Sequence, residues 1–260
     1  MNSSKTIQQQ NSFNVLLIGD SCTDKYNIGT VDRISPEAPV PVLKIIDTYE
    51  LPGMAANVNL NLINLNIEAD FVTNNSPVTK TRFIDERSGQ HLLRVDDEPL
   101  VPVWNGDCPQ DIDSYDAIIV SDYNKGFLSY DQIYGLIRNS ECPVFIDTKK
   151  QDLNMFNMSN VFVKVNELEF KNSTSNHDNL IVTMGSKGAM YNDQLYSTKR
   201  VEVTDVCGCG DTFLAALVVQ YLLTKDIEKA IIFANIAAGI TVQHRGNYAP
   251  SYDEIRHAGY

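Results

Sequence analysis

The chain has 260 residues, enough for one large α/β domain or two small ones with a substantial core. Its net charge of −12 excludes the basic face that a nucleic-acid partner requires. Five cysteines without a disulfide-like framework, and no apolar run near the roughly 20 residues of a membrane span, point to a reducing cytoplasm and to no membrane partner.

Residues 1–12 lack the apolar core of a signal peptide and read as a disordered tail, so the folded domain is expected over 13–260. Residues 13–18 form an apolar run with Asn14 as its one polar residue, which suits a buried parallel strand. The strand ends at Gly19-Asp20, and ligands collect at the carboxyl ends of parallel strands. Asp20 and Asp24 are therefore placed either to accept hydrogen bonds from a polyol or to cap a solvated turn. Prolines 36, 39 and 41 then force an extended backbone, and 42–46 read as a strand. Small residues over 51–57 precede an amphipathic helix. A second core strand covers 69–73. Segments 78–84 and 90–95 form a hairpin which, with 42–46, makes a small β lid. Lys80, Arg82 and Arg94 put positive charge on that lid, suited to a sugar phosphate or to a solvated strand edge.

Further buried strands follow at 116–122, 143–147, 161–165 and 180–184, with a helix over 131–139. Lys125, just past the third strand, could hold a phosphate. Residues 170–179 are polar and aperiodic and read as a bare loop. Residues 205–212 form a glycine-flanked turn opening a helix, and 227–242 form a second apolar helix. A helix N-terminus behind Gly208 and Gly210 is a ready anion site. Asp211 there is either a base for an attacking hydroxyl or a helix cap. Cys207 and Cys209 lack the second cluster that a metal site would need. There is no Walker pattern and no internal repeat.

Gly208-Cys209-Gly210-Asp211 resembles the Gly-Ala-Gly-Asp signature of the ribokinase (PfkB) family of sugar kinases. The ten residues from Arg33 to Val42 are similar to a segment of the D-glycero-D-manno-heptose 7-phosphate kinases, a branch of that family. Ser121-Asp122-Tyr123, Lys125-Gly126 and Asn166-x-x-Glu169 resemble further motifs of these enzymes. The resemblance implies an α/β fold, a ribokinase-like three-layer αβα sandwich with a mostly parallel sheet. Its β lid would use strands within about 25–50 and 78–96 and form a homodimer. It implies that Asp211 is the catalytic base and that Gly208, Cys209 and Gly210 shape the anion hole. Asp20, Asp24, Arg33, Gly53, Asn57, Lys80, Arg94 and Lys125 would meet the sugar phosphate. Asn166, Glu169, Thr183, Gly185, Gly188 and Asn235 would meet ATP. Glu169 would place Mg²⁺ through water, and a loop at Gly246 would take a monovalent cation such as K⁺.

The implied reaction is ATP with heptose 7-phosphate giving the 1,7-bisphosphate, in ADP-heptose synthesis. Bifunctional relatives carry an adenylyltransferase domain after the kinase, and none is expected here. The chain departs from the family at Met54, where a second glycine is usual, and at Cys207 and Cys209, where Thr and Ala are usual. It is also shorter after residues 73 and 170, where relatives carry helices. Two other readings stay open: a kinase for a different sugar or nucleoside, if Met54 reshapes the pocket, and a non-catalytic sugar-phosphate binder, if the shortening removes the nucleotide site.

Overall fold

The computed structural model describes residues 13–175 and 177–259. The tail expected over 1–12 lies outside the described residues. The main sheet has eight strands in the order β12-β11-β10-β9-β8-β7-β1-β4. They are β1 (Val15–Gly19), β4 (Ala69–Thr73), β7 (Ala117–Asp122), β8 (Val144–Thr148), β9 (Val161–Asn166), β10 (Leu180–Thr183), β11 (Ala189–Tyr191) and β12 (Gln194–Tyr196). The pairs from β4 to β10 are parallel, and β11 and β12 close the far edge antiparallel.

The central strands read as continuous apolar runs because both of their faces are covered. Successive residues of β1 serve opposite cores. Val15 and Leu17 pack with helices α1 (Ala55–Asn64), α4 (Cys209–Thr224) and α5 (Ile227–Thr241), while Leu16 and Ile18 pack towards α2 (Tyr130–Arg138). That alternation fixes three layers, with the sheet in the middle. The α4 helix is apolar all round and buried from Asp211 to Gln220, as expected of a helix at the heart of the fold. A short helix, α6 (Tyr252–His257), packs Ile255 into the same core. Among the described residues no helix is long and apolar enough to cross a membrane.

A second sheet of four strands forms the lid, in the order β3-β2-β5-β6: β2 (Ser21–Ile34), β3 (Pro41–Met54), β5 (Thr79–Asp85) and β6 (His91–Asp97). The sequence reading leaves a polyol site or a solvated turn open around residues 20–24, reads a short strand at 42–46, and expects lid strands within about 25–50 from the resemblance alone. The structure instead has two fourteen-residue strands, and they form the longest ladder of the lid. The signal is hidden because β2 alternates. Cys22, Asp24, Tyr26 and Ile28 are buried, while Thr23 and Lys25 are half exposed, so no apolar run exists. Asp24 aligns with Lys80 and Tyr26 with Arg82 on β5, which puts these four side chains on one face.

Both shortened regions are simple links. β4 leads through 74–78 straight into the lid strand β5. Among the described residues, the parallel crossover between β9 and β10 contains α3 (Glu167–Lys171) and otherwise loop, so the sequence expectation of a bare loop from 170 is corrected at its start. His177 helps cover that face. It is buried, its Nε2 lies 2.9 Å from the Phe156 carbonyl, and its Nδ1 accepts from the Asn179 N–H. Burial pushes its pKa down, which keeps the imidazole neutral in the packing. Met54 joins β3 to α1 with φ of 57° and ψ of −133°, a sparsely populated conformation that costs a non-glycine residue about 1–3 kcal/mol. Its side chain is buried in the core, which offsets part of that strain.

Candidate active site

The turn before α4 carries the site. Gly208 is the residue preceding the helix, with φ of 71°. A Cβ at Gly208 would lie 2.6 Å from Asn57 Nδ2 and 2.8 Å from Asn247 Oδ1, so glycine is required both by conformation and by crowding. Asp211 follows in the first turn of α4 and is only 4% exposed. The helix has no side-chain cap bond at its start. Asp211 Oδ2 instead accepts from Asn57 Nδ2 at 2.9 Å, and Oδ1 accepts from the Tyr123 hydroxyl at 2.7 Å. The capping alternative therefore falls: this carboxylate is held by side chains from α1 and from the loop after β7.

Burial raises the Asp211 pKa to about 6, against the opposing hydrogen bonds from Asn57 and Tyr123. Asp147 raises it further and Lys164 lowers it. Lys164 is an interior lysine of β9 whose Nζ contacts Asp147 Oδ2 at 2.6 Å. Burial alone would lower its pKa, but Asp147, with Glu169 and Asp211, outweighs that and the net shift is upward. Asp147 Oδ1 is buried without a partner among the described residues.

Beside this turn lies a cavity of about 540 Å³, lined in part by Asn166, Thr183, Gly188, Cys209, Gly210 and Asn235. Gly185 and Gly239 also line it, and Val201, Val203, Phe213 and Val242 make much of its wall apolar. A cavity of this size, with one helix N-terminus at its mouth, fits a purine ring with phosphates reaching the glycine turn. Asn166 and Glu169 form a reciprocal cap at α3: Asn166 Oδ1 accepts from the Glu169 N–H, and Glu169 Oε2 accepts from the Asn166 N–H. Glu169 Oε1 accepts from Lys149 Nζ. Asn235 Nδ2 donates to the Tyr196 carbonyl at 2.8 Å. Five of the six residues expected at the nucleotide, Asn166, Thr183, Gly185, Gly188 and Asn235, line this one cavity, and Glu169 is joined to it through its bonds with Asn166.

The residues expected at the sugar phosphate divide. Asp20 is fully buried, and its carboxylate accepts the backbone N–H groups of Tyr123, Lys125 and Phe127. These bonds shape the 123–127 loop around Asp20, which the sequence reading expected at a polyol. Asp24 Oδ1 accepts from Arg82 Nη1 at 2.5 Å, and Asp24 Oδ2 accepts from Asn247 Nδ2 at 2.9 Å. A Cβ at Gly53 would collide with the Asp24 carboxylate and stand 2.6 Å from Cys22 Sγ. Lys80 Nζ lies over the Tyr123 ring, 5.8 Å from its centroid. Arg94 is exposed and forks onto Asp96, and Lys125 pairs with Glu98 at 2.7 Å. Arg33 is exposed at the end of β2, about 40 Å along that strand from Ser21 at roughly 3.3 Å per residue. It stands apart from the Asp211 cluster. Gly246 donates its N–H to Asp205 Oδ2.

Sequence reasoning passed over Tyr123, Asn247 and Lys164 as site residues. Lys164 had a signal, since a lone lysine inside the apolar run 161–165 must have a buried partner. Tyr123 stood inside the Ser121-Asp122-Tyr123 motif but nothing local gave its partner, and Asn247 had no signal at all: their partners are 88 and 223 residues away.

Residues 150–254 match the family model described as pfkB family carbohydrate kinase. The chain is 32% identical to the bifunctional protein HldE of Pasteurella multocida, covering 94% of this chain and 63% of that protein. It is 31% identical to HldE of Vibrio parahaemolyticus, covering 95% and 64%. The chain therefore spans less than two thirds of the length of these curated relatives. The first alignment runs over 302 residues, more than the 260 of this chain, so the relative carries segments that are missing here. Among solved structures, a point mutant of Escherichia coli phosphofructokinase-2 superposes with a TM-score of 0.73 at 14% identity, covering 95% of this chain and 98% of that one. Arabidopsis thaliana ribokinase complexed with ribose and ATP superposes with a TM-score of 0.70 at 16% identity, again covering 95% and 98%. These likenesses establish a ribokinase-like fold.

Proposed function

We propose that the chain is a carbohydrate kinase of the pfkB family and that it transfers the γ-phosphoryl group of ATP to heptose 7-phosphate. The observation that carries the reading is Asp211, a buried carboxylate held by Asn57 and Tyr123 beside an open glycine turn. In the proposed step the acceptor hydroxyl gives its proton to Asp211. Its oxygen forms the new bond to the γ-phosphorus, and the bond from that phosphorus to the ADP oxygen breaks. The N–H groups at the start of α4 meet the charge on the transferring group.

Mg²⁺ commonly keeps several waters and binds mainly to substrate phosphates, and Glu169 with Asn166 would meet those waters. When bound, the ion neutralises charge on the β- and γ-phosphates. The likeness to the HldE proteins and the Arg33–Val42 segment support a heptose phosphate as acceptor. On the lid, Arg94 and Lys125 are tied to carboxylates, whereas Lys80 rests on the Tyr123 ring beside Asp211 and is the better phosphate ligand. Buried Met54, standing where the family has glycine, favours one rival reading, a kinase for a smaller sugar. ADP release measured across a panel of sugars and sugar phosphates tests both. Heptose 7-phosphate is expected to give the highest kcat/KM. A pentose or an unphosphorylated heptose turning over faster overturns the assignment.

The lid supports a homodimer. Its inner face packs Tyr26, Ile28 and Ile84 together, but Leu93, Val95, Ile45 and Ile46 are each about half exposed. A four-stranded sheet with apolar groups left outside buries them by pairing with a second copy. Light scattering at micromolar concentration is expected to give twice the chain mass, and Leu93→Lys is expected to give the chain mass. A monomer at full activity removes the dimer.

A further inference from the structure

The phenol of Tyr123 occupies a position that the phosphoryl-transfer reading does not require. Two cations lie over its ring, Lys80 Nζ of the lid 5.8 Å and Lys149 Nζ 5.1 Å from its centroid. Its hydroxyl donates to Asp211 Oδ1 at 2.7 Å. The backbone N–H of the same residue donates to the buried Asp20 carboxylate, so the loop is anchored to the end of β1. Tyr123 thus joins the lid, the Lys149–Glu169 pair and the acidic group at the mouth of α4. We propose that Tyr123 is a positioning residue for phosphoryl transfer: its phenol holds the Asp211 carboxylate oriented and ionised for the acceptor hydroxyl, and its ring links the lid to that carboxylate. This inference rests on the reading of Asp211 as the base.

A buried carboxylate tends to take up a proton, and a neutral carboxyl cannot serve as base. Two donors oppose that tendency at Asp211, Asn57 from α1 and Tyr123 from the loop after β7. The other charged groups facing the site do not replace them. Asp147 of β8 raises the Asp211 pKa, and Lys164 of β9 lowers it but is committed to Asp147. Cys22 of β2 and Cys209 of the turn are themselves held as neutral thiols by burial, the first with its pKa pushed up to about 12. Burial and the nearby Asp211 also drive the Tyr123 phenol well above its usual range, so it remains a donor throughout the working pH. Lys80 and Lys149 touch the ring of Tyr123, and Glu169 reaches the site only through Lys149 and Lys164.

The test is the pH profile of kcat/KM from pH 5 to 9 for the unmutated chain, Tyr123→Phe and Asp211→Asn. Phenylalanine keeps the ring and its cation contacts and removes only the donor. The acid limb, near pH 6 in the unmutated chain, is expected to move up by about one pH unit, the usual scale for one charged hydrogen bond. The loss is then about fivefold at pH 6 and is recovered above pH 8. Carbon-13 titration of the Asp211 carboxyl in the unliganded protein is expected to show the same upward move without any turnover. An unchanged limb and an unchanged titration in Tyr123→Phe, with Asp211→Asn inactive, overturn the role of Tyr123 and leave the base intact. Near-normal turnover in Asp211→Asn overturns the base, and the positioning role with it.

Discussion

Asp211→Asn lowers kcat by roughly 10²–10⁴, the range that general-base catalysis contributes. The amide keeps the size of the carboxylate and one acceptor oxygen. It can still accept from Asn57 or Tyr123, which now hold the two carboxylate oxygens at 2.9 and 2.7 Å. The fold and the nucleotide cavity are therefore expected to persist. The direction of the stability change also follows. The folded Asp211 pKa, about 6, lies above the ordinary carboxylate value, so the group favours folding at low pH and that contribution is lost as pH rises through about 6. At pH 7–8 the amide should melt no lower than the carboxylate. The turnover rate, ATP affinity by calorimetry and melting temperature separate the possibilities. A large fall in kcat with unchanged affinity and melting supports the base, and turnover within a few-fold of normal removes Asp211 from the mechanism.

Arg82→Ala is expected to be the most damaging substitution in the lid, costing about 3–5 kcal/mol. Arg82 and Asp24 are 8% and 7% exposed, and their contact is 2.5 Å. Arg82 also lies over the Tyr26 ring, 5.1 Å from its centroid. Removing the guanidinium strands a buried carboxylate whose other support is Asn247 Nδ2. The Asp24–Asn247 bond ties the lid to the segment after α5, so the damage extends to the position of the lid over the site. Urea unfolding measures the cost directly. The double replacement Asp24→Leu with Arg82→Met, which leaves no buried charge, should recover most of the loss. A single-mutant cost below about 1 kcal/mol contradicts the assignment of a buried, mutually dependent pair.

The layered core was legible in the sequence because its cause is local. β1, β7, β8 and β9 are covered on both faces, so each reads as a mainly apolar run, interrupted within β9 by Lys164, and α4 and α5 are apolar over most of their length. The turn around Gly208 and Asp211 was legible for the same reason, since a positive φ and a helix start leave their marks within a few residues. The lid strand β2 was not legible from its own pattern, although the resemblance implied lid strands within about 25–50. Its buried face contains Asp24, which only an arginine 58 residues away and an asparagine 223 residues away make tolerable. Nor could the sequence separate Asp20 from Asp24, two acidic residues at one strand end. Only the tertiary structure decided that backbone amides of the 123–127 loop saturate the first and side chains hold the second. The same holds for Asp211: its motif marks the turn, but Asn57 and Tyr123, which set its charge and direction, come from 154 and 88 residues away. Side-chain periodicity records which faces are buried. The partner of a buried charge is chosen by the crossing of distant segments, and no local pattern encodes that choice.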